Sequence, residues 1–173
     1  DSSFGSINNG GFTPPPPPPQ EPVLSGLDEG LHQIRESDPS FDTDYFVEVA
    51  SDVFFKVQAG WMRRDLSSYA NLLGSQLASE YETQFAEMKA KGEINKLESI
   101  SIRNVKIVDA GSGNGEDFVT VLFTANLLDY TVSDTNGDLL SGSMTEPVKF
   151  AEEWSWARSV GTQDWKLEGI KEV

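Results

Sequence analysis

Two hydrophobic periods divide this chain. Up to about residue 92 the apolar side chains recur at three- and four-residue steps, and after residue 94 they recur at every second position. The first spacing lines one face of an α-helix and the second lines one face of a β-strand. Helices first and strands afterwards exclude an alternating βαβ architecture. They leave an α+β domain in which helices lie on one face of an antiparallel sheet.

The strongest helical stretch is FDTDYFVEVASDVFFKVQAGWMRRD, residues 41–65. Phe46, Val49, Ala50, Val53, Phe54, Val57 and Trp61 keep one face apolar for over four turns. Asp42 or Ser40 suits its N-cap, and Arg63 and Arg64 complement the C-terminal end of its dipole. That face is wide and aromatic, so it is expected to cover a sheet. Ahead of it, residues 23–37 carry Leu24, Leu27, Leu31 and Ile34 as a narrow stripe on a short amphipathic helix weakened by Gly26 and Gly30. DLSSYANLLG reads as a short helix capped by Asp65. SQLASEYETQFAEMKAKG reads as another, capped by Ser75 and ended by Gly92, with Leu77, Tyr81, Phe85 and Met88 on one side.

In the second half, Ile100 and Ile102 have one parity and Val105 and Ile107 the other, which predicts a bulge near Arg103–Asn104 and a bent strand. GSGNG (111–115) is a hairpin loop; no Lys-Ser/Thr follows it, so it is not a phosphate loop. The next strand aligns Val119, Val121, Phe123, Ala125 and Leu127. SDTNGD has the opening residues of a calcium loop but not its glycine spacing or distal Glu, and reads as a turn with Asn136–Gly137 at its tip. LLSGSM follows, and the last two strands lie in FAEEWSWARSVGTQDWKLEGI (150–170), which holds three of the four tryptophans. Four strands curved over the long helix form a cone whose open end is a natural pocket. The row Phe150, Trp154, Trp156 is expected to face Phe46, Val53, Phe54 and Val57. Phe54, Val57, Trp61, Phe123, Trp154 and Trp156 are the candidate pocket residues, with Glu152 and Arg158 as polar or rim groups.

Composition restricts the partners. A net charge of −15 over 173 residues argues against nucleic acid or an anionic bilayer held by surface charge. There is no cysteine, so thiol catalysis, disulfides and Cys-type zinc sites are excluded. No cofactor or metal is expected. Residues 1–22 form a Gly/Pro-rich linker in which six consecutive prolines make a polyproline rod of roughly 19 Å at about 3.1 Å per residue. The chain begins at Asp1 rather than Met, and an anchor upstream of this linker is expected.

The order DPSFD, VQAGWMRRDL, GEINKLESISI, VTVLFTANLLDYTV, TNGDLLSG and FAEEWSWAR resembles the Tim44-like domain, over residues 38 to about 172. The resemblance implies a cystatin-like fold related to nuclear transport factor two, placed here at residues 38–173. It also implies a non-enzymatic role at a membrane as a binding or scaffold domain, in bacterial relatives behind a linker. The implied partners are a lipid or apolar small molecule in the pocket, or a docked protein. A homodimer through the N-terminal segment is a third arrangement. That segment sets Arg35 and His32 against Asp28, Glu29, Glu36 and Asp38, so recruitment to lipid by charge is not expected. The alternative function is a small-molecule isomerase or dehydratase with Glu152 as base. Arg158 lies about 20 Å along the strand from it at roughly 3.3 Å per residue, leaving Arg103 or Lys166 as its cationic neighbour. With no histidine in residues 38–173 an Asp–His dyad is impossible, and an enzyme is not expected.

Overall fold

The computed structural model describes residues 14–19 and 25–173. Leu24 and the linker apart from Pro14–Pro19 lie outside that range, and Pro14–Pro19 are exposed. Helix α1 (Gly26–Ser37) starts at Ser25, whose hydroxyl accepts from the Asp28 amide at 3.1 Å. Helix α2 (Thr43–Arg63) is capped by Asp42 through the Asp44 and Tyr45 amides and ends at Arg64 in a left-handed conformation, φ 54°. Helix α3 (Ser75–Lys91) ends on Gly92. Its N-cap is Gly74 rather than the expected Ser75, and no side chain caps it. The Asp65 segment is no α-helix. Asp65 instead ties a turn through the Ser67 amide and hydroxyl, and only Ala70–Leu72 close a 3₁₀ turn.

The sheet has five strands, one more than expected: β1 (Glu93–Gly113), β2 (Glu116–Ser133), β3 (Leu139–Gly142), β4 (Val148–Ser159) and β5 (Lys166–Glu172). The order is β1-β2-β4-β5, all antiparallel neighbours, with β3 also on β2. The register shows why the count differs. β3 pairs with Tyr130–Val132 and β4 with Glu116–Leu127 of the same strand, running in the same direction. They amount to one strand interrupted by residues 143–147. β1 has register shifts at Glu98/Ser101, at Ile102/Asn104 as the parity slip predicts, and at Ile107/Asp109. Such bulges bend a strand and increase its twist. The β1–β2 turn places Asn114 and Gly115 at φ 55° and 79°, the two positive values a tight hairpin requires.

One parity of the sheet meets the helices. Val119, Val121, Phe123 and Ala125 on β2 stand beside Trp156, Trp154, Glu152 and Phe150 on β4. Phe46 meets Trp156 at 5.7 Å, and Phe54 meets Trp154 at 5.1 Å and Phe150 at 5.9 Å. The buried face of α2 matches the periodicity except at Val49, which is exposed, at Trp61, which is half-buried, and at Gln58, a polar residue that is buried. The turn after α2 buries Tyr69 completely, and burial pushes its phenol up to about 12.

Helix α1 belongs to the same core through Leu31 and Ile34. Its contact depends on Gly30. A Cβ there would fall 1.7 Å from the carbonyl oxygen of Ala110 on β1, whereas one at Gly26 would meet nothing within 4 Å. Gly30→Ala is therefore expected to lift α1 from the sheet at a cost of about 1–3 kcal/mol. Gly26→Ala is expected to be neutral or slightly stabilising. Hydrogen exchange along α1 checks both; retained protection in Gly30→Ala would show that the sheet yields instead.

Candidate functional site

Two cavities flank the filled centre of the cone. One, about 620 Å³, lies where the loop after α1 meets the β4–β5 turn, lined by Asp38, Phe41, Tyr45, Trp165 and Lys166 among others. Its charges are matched. Asp42 caps α2, Lys166 pairs with Asp164 at 3.3 Å, and Asp38 pairs with Arg158 at 3.1 Å. Hydrogen bonds from Ser40 and Gln163, together with Arg158, hold the Asp38 carboxyl below its usual range.

Arg158 is the centre of that end of the molecule. Its Nε donates to Asp117 at 2.9 Å, its other nitrogens donate to Gln163 at 3.0 Å and Asp38 at 3.1 Å, and its guanidinium lies 4.3 Å from the Trp165 ring centre. The Arg158 and Asp117 side chains are 1% and 0% exposed. This sequence-predicted rim residue is thus a buried tie between β2, β4 and two loops.

The second cavity, about 400 Å³, opens at the mouth of the cone between α2, α3 and the ends of the strands. Of the eight sequence-predicted site residues, Trp61 and Glu152 line it. Phe54, Val57, Phe123, Trp154 and Trp156 lie behind it in the core, at most 4% exposed. Trp61 is half-buried, donates from Nε1 to Asn95 at 2.9 Å and meets the Tyr81 ring edge-on at 5.4 Å. Asn95 in turn donates to Asp129 at 2.9 Å, so α2, β1 and β2 are laced together along one wall.

Among the described residues Glu152 has no basic partner. Neither Arg103 nor Lys166 pairs with it: Arg103 is on β1, with β2 between it and β4, and the register sets Glu152 opposite Glu172 of β5 while Lys166 stands opposite Ala157. Among the described residues the one side-chain hydrogen bond it receives comes from the Trp154 indole at 3.0 Å. Burial raises its pKa, Glu172 adds to the rise, and the indole bond opposes it. Burial, and to a lesser degree Glu152, likewise push the Tyr81 phenol up. Glu80, Asp129, Glu152 and Glu172 all line the cavity, and among the described residues none forms an ion pair with a lysine or arginine.

Because its folded-state pKa is raised, Glu152 binds its proton more tightly in the folded than in the unfolded chain. Its contribution to stability is fully present below the ordinary value of 4.5 and is lost as pH rises through the raised one. Glu152→Gln, which keeps an oxygen for the Trp154 indole, is expected to match the parent in acid and to be more stable at neutral pH. Thermal melts across that range check this. A variant less stable than the parent at neutral pH would mean that the ionised carboxylate stabilises the fold.

Gln58 and Tyr81 are cavity residues that the sequence presents only as members of helical faces. Gln58 carries a readable signal, since it interrupts the apolar series Phe54, Val57, Trp61 at helical spacing. Asn95 has none, because its role arises from contacts with residues 34 to 36 positions away.

A family model for the Tim44-like domain matches residues 27–172. No curated protein matches the chain. Among solved structures, the crystal structure of the intermembrane space region of the chloroplast protein ARC6 is similar, at 11% identity and a TM-score of 0.46, covering 78% of this chain and 100% of that one.

Proposed function

Because the chain belongs to the Tim44-like domain family, we propose that it is a non-enzymatic docking domain at a membrane, binding a protein partner at the mouth of the cone. The observation that carries this reading is the filled interior. Phe54 stacks on Phe123 at 4.6 Å, and Trp154 closes against both at 5.1 and 5.4 Å. An acyl chain would have to displace these rings, which favours a ligand that enters only the mouth. Among the described residues no helix is long and apolar enough to cross a membrane. The proline run supports a domain held away from an anchoring segment by a stiff spacer.

Self-association through the N-terminal segment draws no support from α1, whose Leu31 and Ile34 are already covered by its own chain. The isomerase or dehydratase reading keeps one favourable observation, a carboxyl on a cavity wall with another acid, Glu172, opposite it. The chain's single histidine lies on α1, exposed beside Glu36, and so cannot assist it.

Native mass spectrometry of the purified protein, with organic extraction, tests the reading. The expected result is the mass of the chain alone, and buried tryptophan emission that does not move when fatty acid or phospholipid is added. One acyl chain retained per molecule would sink it.

A further inference from the structure

The chemistry of the mouth cavity specifies a ligand class. Four carboxylates surround it with no cation paired to them among the described residues, in a chain whose net charge is −15. A second feature is independent of that charge. Gln58 is 7% exposed and lines the cavity, and among the described residues its carboxamide makes no hydrogen bond. Its polar atoms are not sealed off, so the carboxamide opens on the cavity, where a ligand N–H can bond its oxygen. The third feature is the pair of half-buried rings, Trp61 and Tyr81, on the same wall. Aromatic faces attract cations, most strongly where water is partly excluded.

We infer that this cavity is a receptor for a single basic side chain, arginine by preference, projecting from the polypeptide partner. The inference rests on the docking reading above and names the chemistry of its contact. A guanidinium offers five N–H donors in a plane. It can face a ring while donating to the Gln58 carbonyl oxygen and to Glu152 and Glu172 at once. Apolar recognition alone would leave the Gln58 amide and the Glu152 carboxyl buried against a surface that cannot bond them.

The test follows the Trp61 indole N–H signal by NMR in the full chain, identified with Trp61→Phe. The protein is titrated with N-acetyl-arginine amide, with its neutral isostere N-acetyl-citrulline amide, and with phosphocholine. A saturable shift is expected with the arginine compound, about tenfold weaker or more with citrulline. Glu152→Gln combined with Glu172→Gln should abolish it while the Trp156 and Trp165 signals stay in place, which separates lost binding from lost folding. Equal response to citrulline, a response retained in the double variant, or no saturation with arginine would overturn the inference. Tighter binding of phosphocholine than of arginine would overturn the polypeptide source in favour of a lipid headgroup. A retained acyl chain in the mass spectrum overturns the docking reading instead, whereas an empty interior with a silent titration overturns only this inference.

Discussion

Trp154→Ala is expected to lower the stability of the folded chain by about 3–5 kcal/mol, the range for truncating a fully buried tryptophan. Trp154 is 0% exposed and touches the rings of Phe54, Phe123 and Trp156. The substitution also removes the hydrogen bond that Glu152 receives from the Trp154 indole. Urea denaturation should show a fall in midpoint with little change in slope, and the melting temperature should drop by roughly 10 °C or more. Trp154→Phe, which keeps most of the ring, should lose far less. A loss below about 1 kcal/mol in the alanine variant would mean that the interior already tolerates a void, and the filled-cone argument against an acyl ligand would fall with it.

Arg158→Met should cost a comparable amount for an electrostatic reason. Asp117 is 0% exposed, and one of its oxygens already lacks a partner among the described residues. Without the guanidinium its charge stays buried with no counter-ion, a change that typically costs about 3–5 kcal/mol. The methionine preserves much of the packing against Trp165 and Phe41, so the loss reports the charge rather than the volume. Replacing both partners, Arg158→Met with Asp117→Leu, should recover most of the stability. If the double variant is as unstable as the single one, the network matters chiefly as geometry, joining the loop at Asp38 to the turn at Gln163. Denaturant midpoints of the two single variants and the double variant decide between these outcomes.

These two positions show how unevenly the molecule can be read from its sequence. Glu152, Trp154, Trp156 and Arg158 share one face by simple alternation, and the structure keeps all four on that face. Their fates then diverge. The tryptophans lie under α2, Arg158 meets two acids from distant parts of the chain, and Glu152 lies at an opening across from another acid. Parity along a strand carries no information about which residue the neighbouring strand presents. That depends on register, here shifted by a bulge between Ser155 and Trp156. The Asp65 segment failed as a helix for a related reason. Its chain direction is set by burying Tyr69 against Gly60, a contact that propensity does not encode.

The sequence by itself determined the three α-helices and the long strands, their order, the capping of α2, the hairpin tips and the inward face of each long strand. All of these follow from residues within a few positions of one another, through backbone preference and hydrophobic period. Only the tertiary structure decided that the centre of the cone is filled, that its mouth stays open, and that Gln58 and four carboxylates meet there. Those outcomes depend on how side-chain volumes sum across α2, α3 and the sheet, and on which strand positions the register brings opposite one another. Packing of that kind is a property of the assembled layers, and no local pattern in the chain contains it.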